Sequence, residues 1–409
     1  PYPREIEYSP TGTEAFIVHE AANIDIFDAN TFSQIGQIPT PTAQANELMF
    51  DASGNVIYAA HSDGIRVYAA INLITPITAV SFPDFAFQQC FEEQAQLNNW
   101  QFAEQVQTLD CSGRGIASIE GVEMLTRLQT LDVSNNNIQN LNFFPQTLGQ
   151  LRSLDVSNNQ LIDAYPLQSL TSLNRLYIGD NPLDIFSLGP VTQAMRGLTH
   201  LGLAGLPLQD LGMLQLFNPD IGQPYPMIEL DLSRTDIVDT SMLTSWPTLQ
   251  NLNISATRIN NLGYVWQLSE LRQINLAGLI SIPMPEINQL VQNNPNLTHI
   301  NLSGIPVQDL NQLPLYDPQI GMPYNLLSLE VADTGINNID IVGSFPNLQV
   351  LDISGNDVAT LFMLNGLTQL QKLDVSGNEE IPDFELMNLI QANPNLTHLG
   401  IADIRIPDL

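Results

Sequence analysis

The sequence predicts an α/β fold, a horseshoe solenoid of stacked strands, with a short all-β segment in front of it. Three observations carry this. The word Leu-Thr-His occurs at Leu198-Thr199-His200, Leu297-Thr298-His299 and Leu396-Thr397-His398, 99 residues apart both times. From Val106 onward the pattern L-x-x-L-x-L-x-x-(N/T/apolar)-x-(I/L/V) recurs thirteen times. Residues 4–70 instead show short alternating runs between turn words. A long internal period means nested repeats, and such arrays present a surface rather than a pocket.

Composition bounds the function. Of 409 residues, 44% are apolar, enough for a folded core. The 43 acidic residues outnumber the 12 basic ones, and Lys372 is the only lysine, giving a net charge of −31. Nucleic acid and anionic membranes need clustered Lys and Arg, so neither is an expected partner. A basic protein or divalent ions suit the charge, and so does a plain acidic surface. No apolar stretch spans a bilayer.

In the first 71 residues, Tyr8-Ser-Pro-Thr-Gly12 precedes Ala15-Phe-Ile-Val18, and Phe50-Asp-Ala-Ser-Gly54 precedes Val56-Ile-Tyr-Ala-Ala60 after 42 residues. Ile24-Asp-Ile-Phe27 and Ile65-Arg-Val-Tyr68 follow in turn. Alternating runs between such turns read as hairpin strands, and a period near 40 is that of a four-stranded blade. This segment resembles bacterial YVTN or WD40-like propeller repeats. Fewer than two blades are present, so the resemblance implies a chain that begins inside a larger domain.

The thirteen repeats start at Val106, Leu128, Leu151, Leu173, Leu198, Met227, Leu249, Leu271, Leu297, Leu326, Leu348, Leu370 and Leu396. They resemble leucine-rich repeats over residues 106–409, which implies one short strand per repeat around a shared core. Their lengths run 22, 23, 22, 25, then 29, 22, 22, 26 twice, so the larger unit is four repeats. The 29-residue repeats carry Pro/Gly-rich extensions, Asn218–Pro226 and Asp317–Tyr324, expected as rim loops. The 26-residue repeats carry Pro285–Gln292 and Phe384–Gln391, whose apolar spacing predicts convex-side helices. At the ninth position Asn136, Asn159, Asn181, Asn356 and Asn378 fit the family's buried amide ladder, with Thr235, Thr257 and Thr334 as partial substitutes. Leu206, Leu279, Ile305 and Ile404 cannot serve there, so irregular turns are expected. The last copy stops in mid-repeat without a cap sequence, which implies a piece of a longer protein.

Residues 72–105 form the linker and cap. Phe82-Pro-Asp-Phe-Ala-Phe-Gln-Gln-Cys-Phe91 resembles the helical N-terminal cap of internalin-like proteins, as does Gly115-Ile-Ala-Ser-Ile-Glu-Gly121 after it. A Cys90–Cys111 disulfide would staple cap to array and imply an oxidising compartment; two buried thiols are the alternative.

No G-x-S-x-G, P-loop, H-E-x-x-H or paired CxxC occurs, so no catalytic residue, cofactor or metal centre is expected. Alternate strand residues face the concave side. There the fifth position is acidic in seven of thirteen repeats. Stacked carboxylates suit a bound cation or basic partner, but the wording L-D-L-S is also common in such repeats. His200, His299 and His398 stand four strands, roughly 19 Å, apart and cannot share an ion; duplication explains them. The reading is a secreted or cell-surface, non-catalytic module that binds a protein, basic by preference, or a glycan. Candidate contacts are Asp132, Asp155, Arg175, Tyr177, His200, Asp231, His299, Asp352, Lys372 and Asp374. The alternative is a spacer within a large multidomain protein.

Overall fold

A computed structural model describes residues 3–8, 14–19, 23–29, 34–39, 45–50, 56–61, 64–69, 75–142, 148–317, 319 and 321–404. Among these, the first strands are β1 (Pro3–Tyr8), β2 (Glu14–His19), β3 (Asn23–Asp28) and β4 (Gln34–Pro39), an antiparallel sheet in sequence order. A second antiparallel sheet holds β5 (Ala45–Phe50), β6 (Val56–His61) and β7 (Gly64–Ala69). Alternate residues Phe16, Val18, Ile24, Ile26, Leu48, Ile57 and Ala59 bury one common core. The Glu5 carboxylate accepts the Leu48 N–H at 2.8 Å and ties the two sheets together.

The array opens with helix α1 (Phe85–Leu97), which buries Phe87, Cys90, Phe91 and Ala95. Asp84 has two tasks. One oxygen caps α1 by accepting Phe87 N–H at 3.0 Å; the other accepts Ala117 and Ser118 N–H in the first repeat, at 2.9 and 3.1 Å. Cys90 and Cys111 are disulfide-bonded across the same junction, with Cα atoms 5.8 Å apart.

A single parallel sheet follows, thirteen strands wide among the described residues. Its first members are β8 (Thr108–Asp110), β9 (Thr130–Asp132), β10 (Ser153–Asp155), β11 (Arg175–Tyr177) and β12 (His200–Gly202). A rim hairpin, β13 (Phe217–Asn218) with β14 (Gln223–Pro224), interrupts the series. The sheet resumes with β15 (Glu229–Asp231), β16 (Asn251–Asn253), β17 (Gln273–Asn275), β18 (His299–Asn301), β19 (Ser328–Glu330), β20 (Val350–Asp352), β21 (Lys372–Asp374) and β22 (His398–Gly400). The central residue is buried in every strand of this sheet except the end strand β22, and most of its neighbours face outward, as strand alternation requires. Three-residue strands suffice because all but the end strands β8 and β22 are paired on both sides.

Leaving the strand is the difficult step. The backbone must turn sharply, and its polar groups there are buried against the next repeat. Two devices solve this. First, the eighth repeat position is left-handed in every repeat from Gly113 to Asp403, with φ between 50° and 76°. Gly, Asn or Asp fills most of these positions, the residues that tolerate such φ. Second, the ninth-position asparagines bridge neighbouring turns. Asn356 Oδ1 accepts the N–H groups of Thr334 and Ile336 at 3.0 and 3.1 Å, and its Nδ2 donates to the carbonyls of Val331, Ile353 and Ser354 at 2.8–3.0 Å. Thr235 reaches only the Leu232 carbonyl, at 2.6 Å. A threonine hydroxyl satisfies its own turn but cannot span to the next one.

Connections on the convex side are short 3-10 turns, except at α2 (Leu188–Ala194), α3 (Met284–Asn293) and α4 (Asp383–Ala392). The two rim extensions are pinned rather than loose. Tyr225 and Tyr324 are buried, and their hydroxyls donate to last-turn carbonyls of the preceding helices: Tyr225 to Gln193 at 2.9 Å, Tyr324 to Val291 at 2.8 Å. Burial pushes the Tyr324 phenol up to about 12, which keeps it a donor. Each extension therefore closes over a helix C-terminus and adds a donor to its last-turn carbonyls.

Two outcomes test this account. Ala256 occupies a left-handed turn position (φ 52°) and is exposed, so Ala256→Gly should stabilise the array by about 1 kcal/mol in urea unfolding. A loss of stability would show that the turn conformation is not the governing cost. Denatured, unreduced protein should contain no alkylatable thiol by mass spectrometry; two labelled cysteines in fresh material would refute the bridge between α1 and β8.

Candidate functional site

The concave sheet presents two columns of side chains in strand register. The first reads Arg175, His200, Glu229, Asn251, Gln273, His299 across β11 to β18. The second reads Asp110, Asp132, Asp155, Tyr177, Gly202, Asp231, Asn253, Asn275, Asn301, Glu330, Asp352, Asp374.

The second column has a structural reason to be Asp or Asn. Oδ1 of each accepts the backbone N–H two residues on: Ser134 to Asp132 at 2.9 Å, Ser233 to Asp231 at 2.8 Å, Ser255 to Asn253 at 3.1 Å, Ala277 to Asn275 at 3.0 Å, Ser354 to Asp352 at 3.0 Å. This Asx turn ends the strand. It needs an acceptor oxygen, not a charge, so aspartate and asparagine are interchangeable to the fold. The second atom of each group, Oδ2 or Nδ2, is left to differ in chemistry. Among the described residues, no group of three or more His, Cys, Asp or Glu is arranged to hold a metal ion.

The sequence-predicted residues fall into three places. Asp132, Asp155, Arg175, Tyr177, His200 and Asp231 lie on the contiguous strands β9 to β15. Asp352, Lys372 and Asp374 share β20 and β21, whereas His299 stands between these groups on β18. Within the first group Tyr177 lies across Gly202, where an added Cβ would come within 2.6 Å of its ring. Its hydroxyl donates to Glu229 Oε1 at 2.9 Å. Burial and that bond hold the Tyr177 phenol well above its ordinary value. Burial also raises the Asp155 carboxyl, against the hydrogen bonds of Ser157 and with the charges of Asp132 and Asp110. Burial likewise raises Glu330, with Asp352 adding to it and the Ser328 hydrogen bond and Lys372 opposing.

The Thr-His pairs also find their explanation here. Thr298 Oγ1 donates to the Arg272 carbonyl of the preceding repeat at 3.1 Å and lies 2.9 Å from His299 Nδ1. With one hydroxyl proton, both contacts are hydrogen bonds only where Nδ1–H of the imidazole donates to Oγ1. Thr199 with His200 and Thr397 with His398 repeat the arrangement. That arrangement is the Nδ1–H tautomer, which leaves Nε2 as an acceptor. Burial depresses the protonation of His299, and of His200 with the help of the Arg175 charge against that of Glu229.

Sequence reasoning passed over a set of neutral residues. A depression of about 300 Å³ lies over β15 to β19, floored by Asn251, Asn253, Gln273, Asn275 and Asn301 with His299 beside them. Its edges are the carboxylates of Glu229, Asp231 and Glu330. Asn251 Nδ2 and Asn301 Nδ2 donate to Glu229 and Glu330, at 3.3 and 2.8 Å. The signal was present: five amides on adjacent strands at the outward positions.

Comparison with known proteins agrees with the repeat reading. A family model described as Leucine Rich repeats (2 copies) matches residues 104–146 and 346–388. Nephrocan of Mus musculus is 30% identical over 167 residues, 40% of this chain, and the chain spans 31% of its length. Among solved structures, an internalin from Listeria monocytogenes is similar at 22% identity and TM-score 0.48, over 83% of this chain and 95% of that one. A leucine-rich-repeat protein of Leptospira interrogans is similar at 20% identity and TM-score 0.42, over 68% and 74%. The chain thus carries leucine-rich repeats. No helix among the described residues is long and apolar enough to cross a membrane.

Just above neutral pH, long-range proton–nitrogen spectra should show His200, His299 and His398 as Nδ1–H tautomers, with His200 and His299 titrating below 6.5. Their depressed values mean that the folded state binds fewer protons than the unfolded one. The stability this contributes is present above 6.5 and is lost as the pH falls below it. Nε2–H signals from these rings would overturn the assignment.

Proposed function

We propose that the chain is a non-catalytic recognition module that engages a partner protein across the concave face of its repeat array. The observation that carries this is the split of duties at the second column: one atom of each side chain ends a strand, and the other is held outward on a rigid frame. Pre-organised polar groups bind at low entropic cost. Leucine-rich-repeat proteins generally mediate protein–protein interaction, and the acidic block of Glu330, Asp352 and Asp374 suits a basic surface on the partner. Asp132, Asp155, Arg175, Tyr177, His200, Asp231, His299 and Lys372 are the further contacts in this reading. Rim hairpins with exposed tips at Ile221 and Met322 flank the face. The disulfide between cap and array supports an extracellular or cell-surface setting. We take residues 1–71, 72–105 and 106–409 as blade-type β segment, cap and array. The meander order of the first two sheets supports the blade reading. In the second reading the array is a spacer in a larger secreted protein.

Photo-crosslinking separates the two. A crosslinker at Asp352 on the concave side should form adducts with a cell-surface partner, and one at the exposed convex Phe384 should not. Asp352→Asn with Asp374→Asn, which keeps both strand-ending acceptors and removes the charge, should lower capture about tenfold, a loss of ~1.4 kcal/mol. Equal or absent adducts at both positions would favour the spacer.

A further inference from the structure

We propose that the depression over β15 to β18 is a subsite for an uncharged, hydroxyl-rich ligand, a neutral glycan. This deepens the concave-face reading and rests on it. The atoms left unused on this floor define what could bind there. Oδ1 of Asn253 and Asn275 is held by the Asx turns at 3.1 and 3.0 Å. Their Nδ2 groups have no protein partner among the described residues and lie on adjacent strands, about 4.8 Å apart. They are donors with fixed orientation. On one side Asp231 has spent Oδ1 on Ser233 N–H and keeps Oδ2 as an acceptor. On the other, Thr298 Oγ1 holds His299 at Nδ1, and the Nδ1–H tautomer offers Nε2 as an acceptor. Fixed donors thus stand between Asp231 and His299 on the floor of one depression.

Elimination follows from hydrogen-bond inventory. An ammonium or guanidinium group only donates, and leaves the two amide donors unanswered. An anion only accepts, and meets the carboxylates of Asp231, Glu229 and Glu330. An apolar group satisfies none of them. A hydroxyl both donates and accepts and rotates to do either, so a cluster of hydroxyls answers the whole set. An extended peptide is neutral too, but its groups facing one side repeat every ~6.8 Å, out of step with strands ~4.8 Å apart.

The chain contains its own contrast. One larger unit on, Asn253 and Asn275 correspond to Asp352 and Asp374, with the Asx turns kept at 3.0 and 2.9 Å. The depression lies over the amide copy. The third copy keeps the same turns while presenting carboxylates instead of donors.

The test uses the full chain, fluorescently labelled, on a printed array of neutral, sialylated and sulfated oligosaccharides. Neutral glycans should bind, and the charged ones should not. Asn253→Asp with Asn275→Asp keeps both Asx acceptors and copies residues already tolerated at Asp352 and Asp374. Its melting temperature should match the wild type, and neutral-glycan binding should fall about tenfold or more. Unchanged binding in this variant overturns the subsite. So does an array with no neutral-glycan signal while concave-face crosslinking to a protein persists; that outcome leaves the recognition reading standing.

Discussion

The array depends on how a chain leaves a three-residue strand and turns within a packed core. Each exit exposes backbone groups that no sheet partner can reach, and water is excluded there. The left-handed eighth position makes the turn, and the ninth side chain satisfies what the turn exposes. Asn356 serves two consecutive turns through five backbone contacts, so removing it would leave several buried groups bare rather than one. Where Leu206 or Ile305 stands instead, the backbone closes on itself, Leu208 N–H to Leu206 carbonyl and Val307 N–H to Ile305 carbonyl, both at 2.7 Å. These are the repeats that carry the rim hairpins. Freed from the ladder, the chain there is also freed from the standard repeat length.

The concave face inherits its chemistry from the same constraint. A strand this short needs an end stop, and Asp or Asn at the fifth position provides it through Oδ1. Function is then written in the remaining atom. The exchange of oxygen for NH2 changes a surface from charged acceptor to neutral donor without disturbing the turn beneath it. This is a low-cost way for duplicated repeats to diverge, because the scaffold requirement and the surface property sit on different atoms of one side chain.

Much of this was legible in the sequence because periodicity reports burial. The core leucines, the ladder asparagines and the helices of the 26-residue repeats all announce themselves by spacing, and Met284–Asn293 and Asp383–Ala392 are helical where the apolar pattern placed them. The disulfide pairing and the acidic column were visible as well. What spacing cannot report is which atom of a side chain is used. Hence the aspartates read as a charge column or as ordinary repeat wording before they could be read as strand ends, and the asparagines of β16 and β17 were not singled out. Tyr225 and Tyr324 ended stretches read as loops, because the helix carbonyls they satisfy lie 32–33 residues earlier in the chain.

The threefold Leu-Thr-His word shows how far duplication constrains chemistry. A copied histidine need not be functional, and the Thr hydroxyl gives each ring the same structural bond. Yet that bond, where Nδ1–H donates it, also makes Nε2 an acceptor wherever the word appears. The neighbours then set what the acceptor can do. His200 sits between Arg175 and Glu229, His299 between Gln273 and Ser328, and His398 beside Lys372. One copied device therefore meets three electrostatic settings. The central one is neutral in its own column, so an uncharged ligand would meet no opposing charge from either side along that row.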